Sequence, residues 1–429
     1  MTPLKDRALA VFPAGVSNGE YGLPAGDVVV MERGEGARLW DTDGREYIDF
    51  SVGWGSNLVG HANPEVVAAV MEQAPKGSNF AYLNRNALEV AEEIHRVVAC
   101  AGQVRFCASG TEATMYCMRL ARAHAGKRKI LKFEGAYHGA NIEGVTSLFP
   151  QRMQNFPQPE ETSAGTPSVA DDLLVAPFND IEATRGILKE HAQEIAGVIV
   201  EPLQRCTPPL PGFLQGLREA CDTHGIILIF DEVVTGFRLA YGGAQEYYGV
   251  TPDLAAFGKA LGGGYPVGAF AGRAELMAQM DEARIGGGEY VWMASTLGGN
   301  PVSMAAARAT LGVLRQPGIY EKLHGTGRYL RESIEKVIRG HGLPVQMLGD
   351  GPMAQMAFTR DPIRDYRSGF HADKTLAREV MLGLFRRQVF LNPMGTKLYV
   401  SIAHDEAICD AFCERLDDTL TEVLKSRAA

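Results

Sequence analysis

The central part of the chain alternates short apolar runs with segments of helical periodicity. The apolar runs have the length of buried strands, and between them hydrophobic positions recur every three or four residues. The predicted strands are residues 104–107, 129–133, 197–200, 226–230 and 254–257. The predicted helices between them include residues 113–125, 181–191 and 213–223. This alternation predicts an α/β fold with a mostly parallel central sheet and helices on both faces.

The two ends of the chain follow different patterns. Residues 38–50 alternate apolar and polar positions around an Asp-x-x-Gly turn, which predicts a β-hairpin. Residues 320–339 and 405–425 predict long amphipathic helices, with short strands between them. We therefore expect residues 1–60 and 311–429 to join in one smaller α+β domain, and residues 61–310 to form the large domain. Residues 149–170, rich in Pro, Gln, Ser and Thr, predict a long loop.

Composition and charge narrow the class of protein. Hydrophobic residues make up 46% of the chain and charged residues 22%, which is typical of a soluble globular protein. The net charge of −9 argues against a nucleic-acid surface, because neutralising phosphates requires clustered Lys and Arg. No apolar run approaches the roughly 20 residues of a membrane-spanning helix, and residues 1–11 have no signal-peptide core. These patterns predict a cytoplasmic protein without membrane or nucleic-acid partners.

The seven cysteines show no C-x-x-C pair. Cys409 and Cys413 have helical spacing, and a zinc site would need a tighter group of ligands that includes His. We therefore expect free thiols of a reducing compartment and no metal site.

Polar residues follow three of the predicted strands. Ser109, Gly110 and Thr111 come after the first strand and open a helix, where free backbone N–H groups can face a phosphate. Asp231 follows the fourth strand and Lys259 the fifth. Because ligands bind at the carboxyl ends of parallel strands, we expect these residues to meet in one site. Each also has a simpler explanation, a helix N-cap for the Ser-Gly-Thr segment and a turn cap for the aspartate.

Lys259 lies between an apolar strand and a glycine-rich turn in residues 260–269. Partial burial lowers the pKa of a lysine, and Schiff-base chemistry requires a lysine of lowered pKa. A lysine for an aldehyde, a carboxylate for a pyridine nitrogen and a helix start for a phosphate together match pyridoxal phosphate. The residue types and their positions therefore predict this cofactor.

Six motifs occur in the same order as in a known family. They are SGTEA (109–113), EGAYHG (134–139), EP (201–202), FDEVVTGFR (230–238), GKALGGG (258–264) and STLGGNP (295–301). Through these motifs the chain resembles the class III aminotransferases, pyridoxal-phosphate enzymes of fold type I, from Val11 to the C-terminus. Within that class it most resembles glutamate-1-semialdehyde aminomutase and the β-amino-acid and D-phenylglycine aminotransferases.

The resemblance implies a role for each motif residue. Lys259 would carry the cofactor as a Schiff base and shuttle the proton, and Asp231 would pair with the pyridinium nitrogen. Thr296 would reach the phosphate of the other subunit's cofactor, which implies a homodimer. The other implied cofactor contacts are Ser109, Gly110 and Thr111 at the phosphate, Tyr137 and Val233 on the ring faces, and His138 and Glu201 beside the ring.

Several of these residues have a second interpretation. Tyr137 and Val233 are also compatible with ordinary core packing, and His138 with a purely structural hydrogen bond. Arg238 is compatible with binding a substrate carboxylate or with fixing a loop, and the sequence does not separate the two.

The substrate-binding segments depart from the family pattern. Relatives that bind a substrate carboxylate have an Arg near the first Pro-Gly-Gly-like turn, whereas residues 12–22 contain none and place Glu20 and Tyr21 there. Residues 392–400 offer only Lys397, and Val234 stands where other ω-aminotransferases have Gln. The sequence therefore favours an aminotransferase that moves an amino group from an amine or amino-acid donor to a carbonyl acceptor by a ping-pong mechanism. An aminomutase or a racemase is the alternative, and the intact motifs argue against a catalytically silent relative.

Overall fold

The computed structural model describes residues 2–19, 21–161, 171–288, 290–392 and 397–428. The helical segments are α1 (Leu4–Val11), α2 (Val52–Gly55), α3 (Pro64–Gln73), α4 (Arg85–Val97), α5 (Gly110–Ala125), α6 (Ile142–Val145), α7 (Ile181–Glu190), α8 (Phe213–His224), α9 (Ala244–Tyr248), α10 (Ala274–Met277), α11 (Pro301–Leu314), α12 (Ile319–Gly340), α13 (Lys374–Arg386) and α14 (Glu406–Ala428). The strands are β1 (Met31–Glu35), β2 (Arg38–Asp41), β3 (Glu46–Asp49), β4 (Gln103–Cys107), β5 (Lys129–Phe133), β6 (Leu173–Ala176), β7 (Ile195–Val200), β8 (Ile227–Glu232), β9 (Leu254–Phe257), β10 (Gly268–Gly272), β11 (Gln346–Leu348), β12 (Met353–Ala357), β13 (Val389–Phe390) and β14 (Lys397–Tyr399).

The chain divides into two compact units. The larger comprises Pro64–Tyr320 with Ile363–Ser368, and the smaller comprises Met1–Asn63, Glu321–Pro362 and Gly369–Ala429. Both chain ends therefore belong to the smaller unit. The predicted domains 1–60, 61–310 and 311–429 stay a prediction, since a compact unit need not fold independently.

The larger unit is built on a seven-stranded sheet with the order β4-β10-β9-β8-β7-β5-β6. The neighbours from β9 to β6 pair in parallel, and β10 runs antiparallel to both β4 and β9. Helix α5 lies on the sheet through buried apolar side chains, among them Ala113, Cys117 and Leu120. The prediction of an α/β fold with a mostly parallel sheet is confirmed.

Most central elements lie close to their predicted positions, whereas β6 and β10 were not predicted as strands. The glycine-rich turn was predicted to continue to residue 269, whereas Gly268 begins a fully buried strand. A Cβ atom at Gly268 would come within 2.2 Å of the Ser109 carbonyl oxygen. Glycine therefore permits close packing of this strand, and the sequence alone gives it the composition of a turn.

The smaller unit contains the sheets β1-β2-β3-β13 and β11-β12-β14 with the helices α13 and α14. Strands β2 and β3 form the hairpin predicted for residues 38–50. The unit has a core of its own, which includes Phe50, Leu384 and Phe412. It is the expected smaller α+β part of the fold.

The predicted loop at residues 149–170 is described up to residue 161, and that part contains neither helix nor strand; residues 162–170 lie outside the described residues. No helix within the described ranges combines the length and the apolar character that crossing a bilayer requires.

Candidate active site

Three neighbouring parallel strands end in polar residues at one edge of the sheet. Strand β7 is followed by Glu201, β8 ends in Asp231 and Glu232, and β9 is followed by Gly258 and Lys259. The order β9-β8-β7 makes these three strand ends adjacent. The structure therefore brings together residues that are far apart in the sequence, at the edge where parallel sheets bind ligands.

Asp231 is buried, with 5% of its surface exposed. One of its oxygens accepts a hydrogen bond of 2.7 Å from Nδ1 of His138, and the other accepts the Val233 N–H at 3.1 Å. Nε2 of His138 is buried and has no hydrogen-bond partner among the described residues. The pair thus fixes the orientation of the carboxylate, and the structural interpretation of His138 agrees with this contact.

Lys259 begins a 3-10 turn directly after β9, with φ of +44°. Burial lowers the pKa of its ammonium from 10.5 to about 8, while the Asp231 carboxylate raises it and the Arg205 guanidinium lowers it. The amine forms no hydrogen bond within the described ranges. A lysine in these surroundings supplies a substantial fraction of neutral, nucleophilic amine near neutral pH.

Helix α5 begins at the same edge of the sheet. The Ser109 hydroxyl caps the helix by accepting the Glu112 N–H at 3.2 Å, and the Glu112 carboxylate accepts the Ala108 N–H at 2.8 Å. The N–H groups of Gly110 and Thr111 have no acceptor in the described parts of the chain. These N–H groups are available to an anion, whereas the phosphate role of Ser109 stays a prediction because its hydroxyl is used in the cap.

Val233 lies against the start of α5. A Cβ atom at Gly110 would come within 2.7 Å of Val233 Cγ1, so only glycine permits this approach. Thr111 is held nearby, because its hydroxyl oxygen accepts the Ala140 N–H at 3.2 Å. The apolar face of Val233 and the free N–H groups are therefore side by side.

A single carboxylate positions the other side of the site. Glu201 accepts the Tyr137 N–H at 2.9 Å through Oε1 and the Arg205 N–H at 2.6 Å through Oε2. The guanidinium carbon of Arg205 lies 5.9 Å from the centre of the Tyr137 ring. Glu201 thus connects the loop that carries Tyr137 to the loop that carries Arg205.

Thr296 is exposed, in the loop before α11. Its carbonyl oxygen accepts a hydrogen bond from Asn79 Nδ2 at 3.1 Å. The neighbouring Ser295 donates to Glu112, the residue that closes the cap of α5, at 3.0 Å. The loop is therefore tied to the helix start through Ser295, and the reach of Thr296 to a second subunit stays a prediction.

A family model for class III aminotransferases matches residues 23–420. The chain belongs to this family. A curated glutamate-1-semialdehyde 2,1-aminomutase from Thermomicrobium roseum is 39% identical over 432 residues, with 98% of each chain covered.

Solved structures of transaminases also superpose on the chain. An ω-transaminase from Sphaerobacter thermophilus has a TM-score of 0.90 and 35% identity, over 97% of this chain and 96% of that one. A transaminase solved with bound pyridoxal phosphate has a TM-score of 0.89 and 29% identity, over 99% of this chain and 98% of that one. The fold is that of the fold type I transaminases, as expected.

The class III enzyme uses pyridoxal phosphate, and the groups at the sheet edge fit this cofactor. The Lys259 amine, the N–H groups of Gly110 and Thr111, and Nε2 of His138 are polar groups without a partner among the described residues. The aldehyde, the phosphate and the polar ring of pyridoxal phosphate match these three kinds of polar group. The buried Asp231 carboxylate matches a protonated ring nitrogen.

Two charged residues of this region lie outside the six sequence motifs and were not predicted as site residues. Lys132, in the middle of β5, is completely buried, and Arg205 follows the Glu-Pro motif by a few positions. A charged residue inside an apolar strand was the available signal for Lys132. Arg205 gave no such signal, because only the folded chain brings it next to Tyr137.

The low pKa of Lys259 predicts how the cofactor-free protein takes up pyridoxal phosphate. The ammonium is protonated below about pH 8 and neutral above it, and only the neutral amine attacks an aldehyde. The rate of uptake, followed by absorbance in stopped flow, should therefore rise between about pH 6 and about pH 9. Glu201→Gln should move the midpoint to lower pH, because the Glu201 carboxylate raises this pKa. A midpoint unchanged by Glu201→Gln would contradict this electrostatic account.

Proposed function

We propose that this class III enzyme is an aminotransferase that moves an amino group from an amine or amino-acid donor to a carbonyl acceptor. The observation that carries the proposal is the unpartnered Lys259 amine beside the Asp231–His138 pair at one edge of the sheet. Residues 12–22 contain no Arg, and this absence favours transfer between two substrates over an aminomutase reaction.

Bound pyridoxal phosphate supplies an electron-withdrawing ring that stabilises negative charge on the carbon next to the amino group. Asp231 would keep a proton on the ring nitrogen, and His138 holds its carboxylate in place at 2.7 Å. The N–H groups of Gly110 and Thr111 would bind the phosphate through the start of α5. Val233 and Tyr137 would exclude water from the two faces of the ring.

The proton transfer is assigned to Lys259. The Lys259 amine would hold and move the proton that leaves the donor carbon. A lowered pKa suits this role, because the base must be neutral before it accepts the proton. Glu201, held by two backbone N–H groups, would keep Tyr137 against the ring.

An aminomutase is the second candidate, because curated aminomutases are similar over almost the full chain. A racemase, which is also an isomerase, would use the same lysine and belongs to this second candidate. A transferase given one amino donor should release one carbonyl product per active site and then stop until a carbonyl acceptor is added. An isomerase should convert a single compound repeatedly.

The deciding experiment separates the two half-reactions. Holoenzyme is mixed with single amines, and release of the carbonyl product is measured against enzyme concentration. A stoichiometric burst, followed by turnover only with a 2-oxo acid or an aldehyde, supports the transferase. Multiple turnovers of glutamate 1-semialdehyde alone, with no burst from any amine, would establish the aminomutase instead.

We also propose a cytoplasmic location. All seven cysteines are free thiols, and all but Cys413 are buried. Buried free thiols agree with a reducing compartment.

A homodimer is part of the proposal. Exposed apolar side chains form a patch in the larger unit, where hydrogen bonds from Asn79 to Thr296 and from Asn84 to Gly299 join two segments. The patch consists of Phe80, Tyr82, Leu83 and Leu297, and Tyr82 has 86% of its surface exposed. Such a patch is typical of a surface that another chain covers, and we assign it to a second copy.

The double substitution Tyr82→Asp with Leu83→Asp should weaken the dimer by about 100-fold or more, because it places charge inside the interface. Light scattering after size exclusion would show the lower mass. Leu210→Asp, at an exposed apolar residue outside the patch, is the matched control. Unchanged mass in the double variant would contradict the assignment of the patch.

Thr296→Val should keep the dimer mass and lower the affinity for the cofactor about tenfold, through loss of one charge-assisted hydrogen bond.

A further inference from the structure

Arg205 lies in a turn beyond the end of β7. The turn is closed by a hydrogen bond of 2.7 Å from the Thr207 N–H to the Gln204 carbonyl oxygen. Arg205 is partly buried, and no carboxylate in the described parts of the chain lies within ion-pair distance of its guanidinium. A partly buried cation without an ion-pair partner retains its capacity to bind an anion.

The backbone of Arg205 adopts φ of +59°, in the left-handed region that favours glycine. A non-glycine residue in this conformation costs about 1 kcal/mol or more. The Glu201 carboxylate stabilises it by accepting the Arg205 N–H at 2.6 Å. A strained backbone held in this way next to an active site indicates that the side chain has a role there.

The guanidinium faces the same site as Lys259. Its carbon lies 5.9 Å from the centre of the Tyr137 ring. Burial raises the pKa of the Tyr137 phenol, and the Arg205 guanidinium lowers it. The guanidinium also lowers the pKa of the Lys259 ammonium, after the larger effects of burial and of Asp231. Arg205 is therefore a cation that both Tyr137 and Lys259 experience, and Arg238 is a second one that lowers the pKa of Lys259.

We propose that Arg205 binds the carboxylate of an amino-acid donor or an oxo-acid acceptor, and so selects substrates that carry a carboxylate. This inference rests on the proposed function, since it names the substrate class of the same site. The planar guanidinium donates two parallel hydrogen bonds to a carboxylate, whereas an amide gains much less.

A binding experiment tests this without turnover. Butanoate and its neutral analogue butanamide are titrated into holoenzyme, and heat or cofactor absorbance reports binding. Butanoate should bind about 10- to 100-fold more tightly than butanamide. Arg205→Gly should remove this difference while leaving the melting temperature equal or higher, because glycine relieves the positive φ. Equal binding of the two ligands to the unaltered enzyme would overturn the proposal.

Kinetics provide the second test. The donors 4-aminobutanoate and butylamine differ only in the carboxylate, and Arg205→Gly should lower kcat/KM about 10- to 100-fold for the first alone. Arg205→Lys should recover part of the loss, since it keeps the charge without the fork. Arg185→Gln, an exposed arginine of α7, is the control.

The experiments distinguish a wrong role for Arg205 from a wrong transferase function. If Arg205→Gly lowers kcat/KM equally for both donors, the arginine only supports Tyr137 and the proposal is wrong. If no amine gives a carbonyl product, the proposed transferase function fails, while the butanoate titration still decides the role of Arg205.

Discussion

Lys259→Ala is expected to lower the rate of the amine half-reaction by about 10⁴-fold or more, because it removes both the nucleophile and the base. The other groups of the site do not replace it: His138 is held by Asp231, and Lys132 is completely enclosed by protein. The fold should be unaffected, since the Lys259 amine forms no hydrogen bond among the described residues.

Stopped-flow release of the carbonyl product measures the rate, and borohydride reduction followed by peptide mass spectrometry locates the bound cofactor. The label should appear on Lys259 in the unaltered enzyme and disappear in the variant. Lys189→Ala, at an exposed lysine of α7, should behave like the unaltered enzyme. A small primary amine in the buffer should restore part of the lost rate by accepting the proton. A variant that keeps its label on another lysine would refute the assignment.

Lys132→Met is expected to destabilise the protein by about 2–4 kcal/mol. The Lys132 side chain has none of its surface exposed. Its three ammonium N–H groups are shared among the carbonyl oxygens of Ala136, Glu143, Gly144 and Thr146, which lie 3.2, 3.1, 3.0 and 2.6 Å from Nζ. Methionine fills a similar volume and offers no donor, so these carbonyl groups would lose the ammonium, and the Gly144 carbonyl would keep only the His138 N–H.

The four carbonyl groups belong to residues 136–146, the segment that contains Tyr137, His138 and α6, so cofactor retention should fall together with stability. Burial lowers the pKa of the Lys132 ammonium to about 7, and the Glu201, Asp231 and Glu143 carboxylates raise it. Urea unfolding is therefore best measured below about pH 7, where the ammonium is protonated.

Lys127→Met is the matched control for Lys132→Met. Lys127 is only partly buried and donates to one carbonyl, that of Ala192, at 2.8 Å. Its loss should cost no more than about 1 kcal/mol. Equal unfolding midpoints for the two variants would mean that the loop holds its shape without the buried ammonium.

The sequence by itself determined the architecture of the sheet region and the position of its chemistry. Apolar strands of parallel sheets are buried on both faces, so the strands predicted at residues 197–200 and 254–257 are visible as continuous apolar runs. The polar residues that end such runs, Asp231 and Lys259, follow from the same pattern. Local periodicity is sufficient here because each element is specified by neighbouring residues.

Strand β10 shows where local patterns fail. Its sequence, Gly-Ala-Phe-Ala-Gly, has the small residues of a turn, and one of its two antiparallel partners, β4, is far away in the chain. The close approach of Gly268 to Ser109 explains the choice of residue. Only the packed sheet provides that neighbour.

The contacts that tune the site were decided by tertiary structure alone. The contact between Tyr137 and Arg205, and the carboxylate of Glu201 that holds both backbones, join loops that follow different strands. Lys132 reaches carbonyl groups up to 14 positions ahead in the chain. Hydrogen bonds and charge interactions depend on distance in space, and sequence spacing does not specify these distances once the chain turns between strands. The sequence therefore determined which cofactor chemistry the protein has, and the fold decided which charges surround it.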